Sequence, residues 1–225
     1  MRFIVIEGLD GSGKSTQIKL LLKHLEGKDI PYHFLHFPRT ESPVYGELIA
    51  RFLRGEFGEM STVNPYLVAL IYAGDRNEAR SMIKQWLNKG CFVVLDRYVN
   101  SNIAYQCAKL NSAGERDKLR QWIRYLEYDY FRIPQPDKSI FLNVPFGFTR
   151  EKLTAERTGD DRDYLDGRQD IHEDDLDFQE RVREVYLELC NEDHRLVKVD
   201  CFRENNEILP PDKIFDRIRD ALDLA

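Results

Sequence analysis

The stretch GLDGSGKS at residues 8–15 follows the apolar run RFIVIE (2–7) and precedes KSTQIKLLLKHL, whose apolar residues recur at helical spacing. That context restricts the chain more than any other feature. Glycines at 8, 11 and 13 let backbone N–H groups turn inward around an anion, and the start of the following helix adds its positive dipole end. In the GxxxxGKS pattern the lysine, Lys14, reaches the β- and γ-phosphates of a nucleoside triphosphate, and the Ser15 hydroxyl ligates Mg²⁺. Gly8, Gly11, Ser12, Gly13, Lys14, Ser15 and Thr16 are therefore the expected nucleotide-binding residues, with ATP or GTP and magnesium as ligands.

The rest of the chain repeats the same rhythm. YHFLHF (32–37), FVVLD (92–96), SIFLNV (139–144) and RLVKVD (195–200) are strand-sized and mostly apolar, as strands covered on both faces are. Helical patterns fall near 14–26, 44–54, 64–88, 101–110, 115–130, 146–157, 174–190 and 211–224. The alternation predicts an α/β fold with a parallel, doubly wound sheet. Residues 40–66 read as an excursion over one end of the sheet, and the charged stretch 157–175 as a mobile surface flap or an extended helix end. No linker divides the 225 residues, so a single domain over 1–225 is expected.

Composition excludes several alternatives. A net charge of −6 argues against a general nucleic-acid coat, which needs a basic surface to displace counterions. No run has the length of a membrane span, and Met1 leads into a strand rather than a signal-peptide pattern, so the expectation is a cytoplasmic protein with no membrane partner. Cys91, Cys107, Cys190 and Cys201 have no CxxC spacing and read as reduced thiols. His33 and His36 fall on opposite faces of a strand, which makes a shared metal improbable.

A nucleotide switch reading lacks its parts. NKGC (88–91) has no aspartate to pair with guanine, and Asp96 is followed by Arg-Tyr-Val rather than a DxxG pattern. A small-molecule kinase fits better. Arg39 in FPRT and Arg97 in LDRY each follow a strand, where ligands lie in a doubly wound sheet. An arginine fork binds phosphate bidentately, so two of them point to an acceptor that already carries a phosphate. Tyr72 and Arg76, spaced i, i+4, share a helix face and suit a planar base, although a core tyrosine with a solvated arginine has the same spacing.

These residues carry a resemblance. EGLDGSGKSTQ (7–17), FPR (37–39), YAGDR (72–76), DRYVNSNIAYQ (96–106), PDKSIFLNV (136–144), DIHE (170–173) and FQERVREVYLEL (178–189) together resemble the thymidylate kinases, which phosphorylate dTMP to dTDP with ATP. DRY followed by S-x-x-A-Y-Q is the signature most particular to that family. The resemblance implies a three-layer P-loop kinase fold, with a five-stranded parallel sheet, helices on both faces and a mobile lid at about 154–175. It also implies a homodimer of long helices packed face to face.

Carried over by position, it implies that Asp10 lies near the acceptor's sugar and phosphate and that Arg39 and Arg97 hold the dTMP phosphate. Tyr72 stacks on thymine and Arg76 bonds its O4. Tyr105 presses on the deoxyribose at C2′, while Ser101 and Gln106 reach the base edge or an ordered water. One family type has a basic residue straight after the P-loop aspartate. Here that position is Gly11, so lid arginines are implied instead: Arg157, Arg162 and Arg168, interspersed with Asp160, Asp161, Asp163 and Asp166.

An acceptor phosphate is already anionic, so the attack needs no general base, and positioning with charge neutralisation becomes the main task. Asp96 then reads as a magnesium or water-shell ligand. Two other readings remain at this point: a deoxynucleoside or other nucleoside monophosphate kinase, and a nucleotide-gated binding protein.

Overall fold

The structure, a computed structural model, describes residues 1–60, 62–154 and 175–224. Its five strands are β1 (Phe3–Glu7), β2 (Tyr32–His36), β3 (Phe92–Asp96), β4 (Lys138–Asn143) and β5 (Leu196–Asp200). They form one wholly parallel sheet in the order β2-β3-β1-β4-β5. Among the described residues the α-helices are α1 (Lys14–Glu26), α2 (Tyr45–Leu53), α3 (Pro65–Asn88), α4 (Val99–Cys107), α5 (Ala113–Arg124), α6 (Phe146–Thr154), α7 (Leu176–Glu192) and α8 (Pro211–Ala221). None of them is long and apolar enough to cross a membrane.

Alternation along β1 builds both layers of the core. Phe3 and Val5 pack with residues of α3, α4, α5 and α7, whereas Ile4 and Ile6 pack with Ile18, Leu21 and Leu25 of α1 and Ile214 and Ile218 of α8. Every residue of β1 and β3 is buried, which is why these strands are apolar on successive residues rather than alternating. β1 is central, with β3 on one side and β4 on the other. The loops after β1 and β3 therefore open side by side at the carboxyl edge of the sheet, where such folds take ligands.

Local signals fix the helix starts. Asn64 caps α3 by accepting from the Tyr66 amide at 2.9 Å, with Pro65 at the first helical position, and Asp175 caps α7 by accepting from the Phe178 amide at 2.8 Å. Gly46 in α2 is required by close approach, because a Cβ there would lie 2.4 Å from the Arg39 carbonyl oxygen. That contact seats α2 against the segment after β2.

The helix expected over 115–130 changes character part-way. α5 ends at Arg124, and Tyr125–Tyr130 forms a π-helical turn, marked by the Phe131 amide donating to the Leu126 carbonyl at 2.9 Å. The wider turn carries Glu127 into the interior, fully buried. No periodicity of apolar residues signals such a turn.

Lys109, just past α4, is the least compensated charge of this core. Its ammonium sits 4.7 Å over the Phe52 ring and has no hydrogen-bond partner among the described residues. Burial pushes its pKa from 10.5 down to about 7. Between those pH values the unfolded chain holds a proton that the folded chain releases, so stability rises with pH across the window. Lys109→Met is expected to raise the thermal midpoint at pH 7, with the gain shrinking as pH approaches 10, as read by calorimetric melts at both pH values.

Candidate active site

The loop after β1 begins the site. Gly13 caps α1 at φ 85, a left-handed conformation strained for any residue with a Cβ, and it offers no side-chain cap. The first-turn amides of α1 are thereby left for an anion. Lys14 is buried, and its ammonium donates to the carbonyls of Leu9 at 3.0 Å and Gly8 at 3.4 Å. Burial lowers its pKa first and Arg97 second, against Asp96, Asp10 and Glu7. A phosphate here would restore the balance. Ser12 is buried with its hydroxyl unpartnered among the described residues, while Ser15 and Thr16 are exposed on the first turn of α1.

Asp96, the last residue of β3, faces this loop. One carboxylate oxygen meets His36 Nδ1 at 3.3 Å, and the other, Oδ1, is buried with no partner among the described residues. Burial works to raise its pKa, but Lys14, His36 and Arg97 outweigh that and hold the carboxyl below its ordinary value. An ionised, half-satisfied carboxylate within the field of Lys14, next in sequence to the exposed Ser15, fits a hard, oxygen-seeking cation of the magnesium type.

Arg97 joins the two loops. It has φ 65, unusual for a residue with a side chain, and its amide donates to the Ile6 carbonyl of β1 at 3.0 Å. Its Nη2 donates to Asp10 Oδ1 at 2.7 Å and to the Tyr105 hydroxyl at 3.1 Å, and Nη1 donates to Ser101 Oγ at 3.2 Å. Tyr105 in turn donates to Asp10 Oδ2 at 2.8 Å, with its ring 5.0 Å beneath the guanidinium carbon. Burial opposes the Arg97 charge, but Asp10 first, with the other acids, raises its pKa well above the ordinary value.

Asp10, Arg97, Ser101 and Tyr105 are thus brought together as the sequence suggests, close to Lys14 and Asp96. Of the remaining residues, Arg39, Arg76 and Tyr72 have partners of their own. Arg39 follows β2 and is held by Asp75 of α3, its Nε donating to Oδ1 at 2.8 Å and its Nη2 to the Asp75 carbonyl at 2.8 Å, with Glu78 at 3.3 Å. Arg76 is 2% exposed and donates through Nε and Nη2 to both oxygens of Glu127, at 2.5 and 2.7 Å. Asn102 donates to Glu127 Oε1 as well, at 3.0 Å. Tyr72 packs against Ile49, Phe52, Leu53 and Val68, and Gln106 is buried with Oε1 unpartnered among the described residues. Arg157, Arg162 and Arg168 lie outside the described residues, as does DIHE (170–173).

Four neighbours of these residues were given no role by the sequence. Glu7, Asp75 and Tyr186 lie within the motifs that carry the resemblance, and Glu127 lies outside all of them. Farther along the same edge, after β4 and β5, a cavity of about 590 Å³ is lined by Phe146, Phe148, Phe202, Arg183, Asn206 and Ile208 among others.

The family model described as thymidylate kinase matches residues 6–209 of this chain. The chain belongs to the thymidylate kinase family. A thymidylate kinase of Plasmodium falciparum is 30% identical over 207 residues, covering 92% of this chain and 85% of the relative. One from Mycobacterium tuberculosis is 34% identical over 190 residues, covering 83% and 85%. The solved thymidylate kinase of Candida albicans, described as having broad substrate specificity, superposes with a TM-score of 0.72 at 27% identity, covering 99% of this chain and 91% of that one. Membership makes this chain a thymidylate kinase enzyme that uses ATP.

Within this thymidylate kinase, the Arg76–Glu127 pair is fully buried and so differs from surface pairs such as Arg203–Glu207, whose side chains are 61% and 64% exposed. Removing one partner of a buried pair strands a charge. Glu127→Ala is expected to cost about 3–5 kcal/mol in urea unfolding, against less than about 1 kcal/mol for Glu207→Ala.

Proposed function

We propose that this enzyme transfers the γ-phosphoryl group of ATP to dTMP with the donor on the P-loop and the acceptor phosphate at Arg97 and Arg39. The observation that carries this is the position of Arg97, ion-paired to P-loop Asp10 and walled by Tyr105. Arg97 and Arg39 follow adjacent strands, β3 and β2, and their side chains keep 11% and 21% of their surface open, enough for a dianion to reach both forks. The two guanidiniums suppress repulsion between the two polyanionic substrates, and Lys14 neutralises the donor phosphates. Lid arginines Arg157, Arg162 and Arg168 are the proposed partners of the transferring group and of ATP.

Tyr72 takes the thymine face in this reading. Arg76 spends Nε and Nη2 on Glu127, so Nη1 is the edge proposed for O4. Gln106 Oε1, buried and unpartnered among the described residues, is an acceptor suited to the base N3–H or a water. Tyr105, fixed by Asp10, Arg97 and an edge contact to Phe178 at 6.0 Å, is the proposed wall against a 2′-hydroxyl. The cavity after β4 and β5, with three phenylalanine rings, an arginine and an asparagine, suits the planar base of the donor.

Ser15 and Asp96 are the residues that would hold Mg²⁺, which would supply charge neutralisation to the donor phosphates. Asp96 is kept ionised for that by Lys14 and His36. No general base is required, because the acceptor phosphate arrives as an anion.

A homodimer is also proposed. Tyr66, Leu67 and Leu70 form an apolar face of α3 that is 37–60% exposed, where a second copy of the long helix would cover it. Light scattering of Leu67→Glu with Leu70→Glu, against the parent, reads this directly.

A coupled assay with ATP against dTMP, dUMP, UMP and thymidine should give its highest kcat/KM for dTMP, and no dTMP turnover above the thymidine rate would sink the reading. Arg97→Ala is expected to lower kcat/KM for dTMP by about 10² to 10³, the scale of a lost buried charge partner, with the Kd of ATP unchanged. A parallel loss of ATP affinity would remove Arg97 from the acceptor side.

A further inference from the structure

Glu7 closes β1 immediately before the P-loop, and none of the roles assigned above uses it. It is completely buried and accepts three hydrogen bonds. Ser101 Oγ donates to Oε2 at 2.6 Å, the Tyr186 hydroxyl donates to Oε2 at 2.9 Å, and the Tyr98 amide donates to Oε1 at 3.1 Å. Ser101 Oγ and the Tyr186 hydroxyl also lie 2.7 Å apart.

The same serine receives Arg97 Nη1 at 3.2 Å. A serine hydroxyl has one donor and two acceptor positions. Glu7 takes its proton and Arg97 occupies one acceptor position, with the Tyr186 hydroxyl alongside, so Ser101 links Arg97 to the buried carboxylate. Arg97 itself sits at φ 65, and its presentation depends on ties to either side of its peptide: its own amide to Ile6, and the next amide, of Tyr98, to Glu7. A conformation of this kind persists only where its surroundings over-determine it. Tyr186 is fixed independently of its hydroxyl, since its buried ring stacks on Phe141 of β4 at 4.6 Å and 11°.

We propose that Glu7 and Tyr186 are positioning residues of the acceptor site, holding the Arg97 guanidinium through Ser101 and the Arg97 turn through the Tyr98 amide. Neither touches substrate. They set the direction of the fork that receives the monophosphate, and they tie α7 and β1 to the start of α4. The donor site depends on Gly13 and the Lys14 ammonium, which makes no hydrogen bond to Tyr186 and feels Glu7 only through its charge, after Asp96 and Asp10. The inference rests on the reading of Arg97 as the acceptor-phosphate residue.

Tyr186→Phe is the cleanest test because the ring and its stack remain. The expected result is a KM for dTMP raised about tenfold, the scale of one lost orienting hydrogen bond, with KM for ATP within twofold and the thermal midpoint within a few degrees of the parent. Ser101→Ala should act in the same direction, and the double variant should exceed the larger single by less than the product of the two, because both act on one chain of hydrogen bonds. Glu7→Gln, which puts an amide N–H₂ where two hydroxyls donate, should raise the same KM. An unchanged dTMP KM in Tyr186→Phe, or equal rises for dTMP and ATP, would overturn the inference. Should Arg97→Ala itself leave the dTMP KM untouched, the acceptor reading fails first. Should Arg97→Ala raise it while Tyr186→Phe does not, only the positioning role fails.

Discussion

A guanidinium that cannot lose its proton, held at the tip of a buried strand, must be partnered from every side, and the geometry around the sheet's carboxyl edge follows from that need. Arg97 meets Asp10 from the P-loop, Ser101 and Tyr105 from α4, and the field of Asp96 from its own strand. The partners come from three different elements. The ion pair at 2.7 Å therefore fixes where the P-loop lies relative to the helix that follows β3. The proposed donor and acceptor halves of the site are joined through one side chain.

The second arginine is restrained differently. Arg39 is seated on Asp75 of α3, and the next residue of that helix, Arg76, is locked on Glu127. α3 thus carries, on consecutive residues, the anchor for one phosphate-side arginine and the arginine proposed to read the base. A shift of α3 would move both. The buried Arg76–Glu127 pair resists such a shift, and the π-helical turn that brings Glu127 inward is the local distortion this requires.

Much of this was open to reading from sequence, and the boundary has a physical reason. The P-loop carries its chemistry in eight consecutive residues, so its placement on a strand, a loop and a helix start is dictated locally. The DRY…AYQ stretch spaces Arg97, Ser101 and Tyr105 at helical intervals, and the structure gathers them on one side of α4. The sheet itself is visible in five apolar runs, with ends shifted by one residue at most. What stays hidden depends on partners far apart in the chain. Glu127 lies 51 residues from Arg76, and Tyr186 lies 179 residues from Glu7. No spacing rule links such pairs, and a buried acid or tyrosine looks in sequence like any other. Ser101 illustrates the limit: its position matched the family pattern, but only the fold reveals that its hydroxyl lies among Glu7, Tyr186 and Arg97.

The most direct test is a crystal structure of the enzyme with dTMP bound. Arg97 and Arg39 should both lie within hydrogen-bond distance of the monophosphate oxygens, with Arg76 still on Glu127, Ser101 still on Glu7, and Tyr105 against the sugar. A monophosphate seated away from Arg97, with the Asp10–Arg97 pair untouched and no guanidinium on the phosphate, would contradict the account.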